Sequence, residues 1–187
     1  YGVAAMDLAG AEALYPTYKY KELFKKAADR NIPFTIHAGE AGNAEDVKTA
    51  VHMGAVRIGH GVRIAGNKEV IQLVKDKGVF LEMCPTSNRQ TKAMEEMSAY
   101  PLKAFLEMGL KVTVNTDDPA IERTTLSREF RYMESLLDLT QEQKRLLLLN
   151  SVEAAFTSGN RKCKLKEQLF SEPYENYDEP IIYKRIK

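Results

Sequence analysis

Three short apolar runs in this chain each end in a cluster of groups able to bind a metal or move a proton. Ile32-Pro33-Phe34-Thr35-Ile36 leads into His37-Ala38-Gly39-Glu40, Ala55-Val56-Arg57-Ile58 into Gly59-His60-Gly61, and Leu110-Lys111-Val112-Thr113-Val114 into Asn115-Thr116-Asp117-Asp118-Pro119. Runs of this length and composition read as strands, and the amphipathic stretches between them as helices. Strand and helix alternating at intervals of roughly 20 to 30 residues call for a parallel sheet with right-handed crossovers. The strands of such a sheet all point the same way, so clusters at their C-terminal ends converge on one edge. That edge is where a parallel β/α barrel keeps its active site.

The spacing predicts a first strand over Val3–Asp7, then a helix over Lys19–Asp29 with Leu23, Phe24, Ala27 and Ala28 on one side. A strand over Phe34–His37 and a helix over Ala44–His52, with Asn43 as N-cap, come next. Val56–Ile58 starts a third unit whose helix covers Glu69–Asp76, and Val79–Cys84 is a fourth strand that Pro85 stops. Pro101 suits a first helical turn, and Val112–Val114 is the fifth strand. Beyond Pro119 the pattern is helical, over Leu126–Leu137, Gln141–Phe156 and a short piece near Leu165–Leu169. Five strands suit either a self-contained open sheet or most of an eight-stranded barrel, and periodicity does not separate the two.

Composition narrows the partners. The 187 residues are 44% hydrophobic and 28% charged, which suits one globular domain or a large part of one. With 27 basic against 26 acidic residues the net charge is +1, so there is no basic field to capture nucleic acid. The basic stretch Arg161–Lys166 and the acidic stretch Glu172–Glu179 read as solvated surface. Two cysteines, Cys84 and Cys163, make no disulfide framework and fit a reducing cytoplasm. No apolar run approaches the roughly 20 residues of a membrane span, and no signal peptide is visible.

Each reactive residue has a functional and a structural use. His37 and Glu40 lie three apart past a strand end, as a neutral imidazole on zinc and a carboxylic acid that donates a proton would, or as a satisfied histidine beside a helix-facing glutamate. His60 sits between two glycines, which allow a sharp turn and close approach to a ligand, or mark a turn histidine. His52 falls inside a helical pattern and reads as bland. Asp117 and Asp118 repel each other unless something binds them, or they form an acidic pair at a helix N-terminus before Pro119. Cys84 ends a strand, as a thiolate ligand or as a small buried apolar residue.

His37-Ala38-Gly39-Glu40, Arg57-Ile58-Gly59-His60-Gly61, Cys84-Pro85-Thr86-Ser87-Asn88 and Val114-Asn115-Thr116-Asp117-Asp118-Pro119 resemble adenosine deaminase in order and approximate spacing. Asp7-Leu8-Ala9-Gly10 is similar to that family's segment after barrel strand four. The resemblance runs from about Asp7 to the helix near Phe156. It implies an α/β fold of the (β/α)₈ TIM-type barrel, of which about the last five strands and the C-terminal helices are present. Residues 1–187 would then be the C-terminal part of a single metal-dependent hydrolase barrel domain.

The activity implied is zinc-dependent hydrolytic deamination of adenosine or deoxyadenosine to inosine or deoxyinosine and ammonia. The alternatives are an adenine or other aminopurine deaminase, or a non-catalytic purine-binding fragment. By position, His37 and Asp117 would be zinc ligands and Glu40 would protonate the purine ring nitrogen beside the reacting carbon. His60 would orient the attacking water and help to take its proton. Asp118 would bind the imidazole side of the purine and the Gly10 backbone N–H its pyrimidine side. Glu40 has to be protonated at working pH, so its pKa is expected to be raised by burial. The family's remaining zinc ligands come from a His-x-His motif after strand one. The three histidines here, His37, His52 and His60, contain no such motif. The chain therefore resembles the C-terminal part of an adenosine deaminase. It is expected to bind zinc poorly alone and to need either the missing N-terminal segment or self-association to cover its open sheet.

Overall fold

The computed structural model describes residues 2–171. Five parallel strands form one sheet: β1 (Met6–Leu8), β2 (Phe34–Ala38), β3 (Arg57–His60), β4 (Phe80–Met83) and β5 (Lys111–Val114). Their order in space is their order in the chain. An open doubly wound sheet reverses its strand order at a switch point and carries helices on both faces. Here every crossover steps the same way, and right-handed crossovers that step one way put their helices on one side. The sheet is therefore a length of barrel wall rather than a self-contained open sheet.

The helices are α1 (Lys21–Ala28), α2 (Ala44–His52), α3 (Lys68–Lys77), α4 (Pro85–Gln90), α5 (Leu102–Glu107), α6 (Pro119–Glu122), α7 (Leu126–Leu137), α8 (Gln141–Ala154) and α9 (Gly159–Ser171). Asn43 caps α2 in a capping box, its side chain accepting from the Glu45 amide while Asp46 accepts from the Asn43 amide at 3.0 Å. Some expectations shift. β1 starts at Met6, where pairing with Phe34 begins, and Val3 is exposed. In α1 only Phe24 and Ala27 are buried, and Leu23 faces solvent. Pro85 ends β4 as expected and also opens α4, because its fixed φ suits a first helical position. The basic stretch lies on α9, longer than the expected piece; the acidic stretch Glu172–Glu179 lies outside the described residues.

The strand register sorts the sheet into two unlike faces. Residues paired across parallel strands share a face. Met6 pairs with Phe34, Leu8 with Ile36, Ile36 with Ile58, Ile58 with Leu81, and Leu81 with Val112. These apolar rows pack under the helices, where Ile36, Ile58, Leu81 and Val112 are 0% exposed. The opposite face carries Asp7 beside Thr35, His37 beside Gly59, and Glu82 beside Thr113. Such a face is the polar lining of a barrel interior. Thr35 Oγ1 donates to Glu82 at 2.7 Å and Arg57 lies 3.1 Å from Glu82 as an ion pair, so Glu82 draws partners from neighbouring strands.

Candidate active site

β2 delivers His37 and the turn after it delivers Glu40. That turn is held by Glu12, a buried carboxylate that accepts the backbone N–H groups of Gly39 at 2.5 Å, Glu40 at 3.1 Å and Ala41 at 2.8 Å. Gly39 has φ +73°, and a Cβ there would sit 2.6 Å from Val47 Cγ2. Gly39→Ala should therefore destabilise the protein by roughly 2–4 kcal/mol, combining left-handed backbone strain with overpacking. An unchanged urea midpoint would show that the turn has more room than the geometry allows.

β3 delivers His60 by breaking its own alternation. Register pairs it with Ala38, on the helix side. Its φ is +64°, and its ring lies 4.3 Å from that of His37, against the cavity. Asp117, after β5, is likewise left-handed at φ +59°. Non-glycine residues held in this region cost energy and cluster at functional sites. These two face each other, with His60 Nε2 3.8 Å from Asp117 Oδ2. Gly59 keeps the approach open, since a Cβ there would lie 3.3 Å from His37 Cα.

His37, His60, Asp117, Cys84, Thr35 and Asp7 line a cavity of about 210 Å³. His37 also borders a second cavity of about 260 Å³, lined by Gly10, Glu12, Tyr15 and Tyr20. Of the residues singled out in the sequence, His37, Glu40, His60 and Asp117 come together and Gly10 lies next door. Asp118 does not line either cavity. Its side chain caps α6, accepting from the Ala120 and Ile121 amides, the helix-terminal use that Pro119 signalled. Cys84 is buried and burial pushes its thiol pKa well up, which suits a small buried residue more than a thiolate. His52 lies exposed in the last turn of α2.

Glu40 differs from expectation. Burial pushes its pKa up, as anticipated, but His37 Nε2 at 3.1 Å, the nearby His60 and a hydrogen bond from Thr91 outweigh it, and the carboxyl falls from 4.5 to about 2. The partner responds in kind. Burial opposes the charge on His37, yet the Glu40 hydrogen bond and the surrounding carboxylates raise its pKa. Burial lowers that of His60. Because the folded pKa of Glu40 lies below its unfolded value, this pairing stabilises the metal-free fold above about 4.5 and is lost as pH falls toward 2. Stability curves of wild type and Glu40→Gln without metal should therefore converge over that interval. Parallel curves would mean that Glu40 is not ionised in the fold.

Sequence reasoning passed over Glu12, Ser87, Asn88, Thr91 and Tyr100. Ser87 Oγ donates to Asp117 Oδ2 at 2.7 Å, and Asn88 and Thr91 both reach Glu40 Oε1. Ser87 and Asn88 stand inside the Cys84–Asn88 motif, whose residue types alone do not reveal these long-range partners. Glu129, fully buried on α7, accepts the Thr86 amide and the Thr124 hydroxyl and so ties down the start of α4.

The profile of the family described as adenosine deaminase matches residues 1–172. This chain belongs to the adenosine deaminase family. The adenosine deaminase of Haemophilus ducreyi is 44% identical over 164 residues, covering 88% of this chain and 48% of the relative. That of Enterococcus faecalis is 40% identical over 168 residues, covering 90% and 50%. Among solved structures, the adenine deaminase of Arthrobacter aurescens superposes with a TM-score of 0.85 at 31% identity, over 90% of this chain and 52% of that one. A zinc-bound amidohydrolase from Burkholderia ambifaria shares the fold, with a TM-score of 0.76 at 22% identity, over 89% and 50%. The chain spans about half the length of the relatives it matches, and these neighbours support the partial-barrel reading of its sheet. Among the described residues no helix is long and apolar enough to cross a membrane.

Proposed function

We propose that the protein to which this chain belongs hydrolyses the exocyclic C6–N bond of adenosine or deoxyadenosine, giving inosine or deoxyinosine and ammonia. The observation that carries this reading is the convergence of His37, Glu40, His60 and Asp117 at the C-terminal edge of the sheet. Relatives at 40–44% identity that are adenosine deaminases support the nucleoside over the free base.

His37, Glu40 and His60 have donor atoms within 4.8 Å of one another, a spacing that would also suit a metal. We assign the metal instead to His37 and Asp117. Glu40 and His60 are buried and engaged by the Asn88 amide, whereas the Asp117 side chain is 40% exposed and its one hydrogen bond, from Ser87, falls on Oδ2. An imidazole nitrogen and a carboxylate oxygen are donors that zinc accepts, but a catalytic site takes three protein ligands. The fit is right in kind and short in number, so further donors come from outside the described residues. Zinc, when bound, supplies Lewis acidity that lowers the pKa of water toward roughly 7.

The chain's own groups supply the rest. Glu40 gives a proton to the ring nitrogen beside C6, which makes that carbon electrophilic. The water oxygen bonds to C6 while one of its protons passes to the amino group, which leaves as ammonia; the remaining hydroxyl proton returns to Glu40 as the C6 carbonyl forms. Were zinc held by His37 and Asp117, the His37 nitrogen that now meets Glu40 at 3.1 Å would be committed to the metal, and burial would favour the neutral acid that donation requires. His60 orients the water. The Gly10 N–H would read one edge of the purine, and Asp118, exposed and with both capping bonds on Oδ1, would offer Oδ2 to the other.

Asp117→Ala should lose most of its zinc, read by metal analysis after dialysis. Asp118→Ala should keep its zinc and mainly raise KM for adenosine. Normal zinc in the Asp117 variant would remove Asp117 from the metal site. A higher kcat/KM for adenine than for adenosine would move the reading to free bases.

A further inference from the structure

We propose that Asn88, keyed by Tyr100, is the positioning residue that holds His60 and Glu40 through a single amide and presents the His60 Nε2–H to the cavity. The role in turnover rests on the deaminase reading above; the hydrogen-bond arrangement does not.

Asn88 is 0% exposed on α4, so every polar atom of its amide needs a partner inside the protein. Tyr100, itself buried, donates its hydroxyl to Asn88 Oδ1 at 2.8 Å. Asn88 Nδ2 lies 3.0 Å from Glu40 Oε1 and 2.8 Å from His60 Nδ1. A carboxylate accepts only, so the atom beside Glu40 is the NH₂ group and the carbonyl faces Tyr100. One amide hydrogen then points to Glu40 and the other to His60. The second needs a lone pair on Nδ1, which leaves the proton of a neutral imidazole on Nε2. Nε2 is the nitrogen that faces Asp117 Oδ2, at 3.8 Å.

Two consequences follow for the reacting groups. In this tautomer the imidazole meets the cavity as a hydrogen-bond donor, so His60 enters the cycle orienting an oxygen rather than removing its proton. Glu40 Oε1 is meanwhile occupied by Asn88, and by Thr91 Oγ1 at 2.9 Å. Thr91 Oγ1 is also 3.0 Å from the Ser87 carbonyl and has one hydrogen to give, so Asn88 is the constant donor. Oε2 is therefore the oxygen of Glu40 that Asn88 leaves unengaged. That oxygen lies 3.1 Å from His37 Nε2, beside the cavity. A single buried amide thus decides which oxygen of the acid and which nitrogen of the imidazole are reactive.

Long-range ¹H–¹⁵N correlations of the histidine rings test the arrangement in the 187-residue chain without substrate. Wild type should show His60 as the Nε2–H tautomer. Asn88→Asp puts an acceptor-only group beside Nδ1 and should move the proton to that nitrogen, whereas Tyr100→Phe leaves the NH₂ group facing Glu40 and should keep the Nε2–H tautomer. An Nδ1–H tautomer in wild type, or a His60 signal unchanged in a folded Asn88→Asp protein, overturns the proposal. In the intact enzyme, Asn88→Asp should lower kcat by about 10- to 100-fold, the usual cost of losing a group that orients a reactive ligand, with KM for adenosine within about threefold. A normal kcat in Asn88→Asp alongside a switched tautomer overturns the role in turnover. Absence of deaminase activity in wild type, with the Nε2–H tautomer present, would instead fault the activity reading alone.

Discussion

Glu40→Gln, in the intact enzyme, is expected to lower kcat by about 10²- to 10⁴-fold, the usual contribution of a general acid, while zinc content stays near that of wild type. The amide keeps the shape of the side chain. Its carbonyl can still accept from Asn88 and Thr91 as Oε1 does now, at 3.0 and 2.9 Å. Its NH₂ group takes the place of Oε2 next to His37. Packing and the metal ligands are thus preserved, and the transferable proton is removed. Parallel measurement of kcat and bound zinc separates this from a folding defect. Near-normal kcat at normal zinc would take Glu40 out of the mechanism.

The 187-residue chain purified alone is expected to hold well under one zinc per chain and to release no measurable ammonia from adenosine. His37 and Asp117 are two ligands where a catalytic zinc takes three. The wall is open as well. Among the described residues β1 and β5 each have a strand neighbour on one side only, and about five strands cannot close an eight-stranded barrel. Asn150 on α8 donates to the Val112 carbonyl of β5 at 2.9 Å, covering one edge group. Edges of this kind recruit further strands, so sedimentation across dilutions should show self-association. A compact monomer with stoichiometric zinc and full turnover would reverse both expectations.

Much of this arrangement was legible in the sequence. Strand, turn and helix each leave local marks: Asn43 before an acidic first turn, Pro85 and Pro101 at boundaries, alternating polar and apolar residues along the strands. The boundaries of α2 and α7 follow directly from such marks. The convergence of His37, His60 and Asp117 was legible because one topological rule brings C-terminal strand ends together. Long-range partners left no mark. Nothing local says that Glu12 will cradle the turn at Gly39, or that Asn88 will meet Glu40 and His60 across 48 and 28 residues. The ion pair of Glu40 with His37 left no mark for the same reason. Burial can be guessed from an apolar context, whereas the distance of an imidazole from a carboxylate is set by the finished fold.

Neighbouring strands of this wall are also consecutive in the chain, and that bears on how it assembles. Each pairing closes only the loop formed by one helix and its connections, and closure entropy grows slowly with loop length. The wall can therefore zip from one strand to the next without waiting for distant chain. His37, His60 and Asp117 stand on or just after β2, β3 and β5, so β4 must already lie in register before the set exists. In a refolding experiment, amide protection at β2 and β3 should precede the competence of the chain to capture metal.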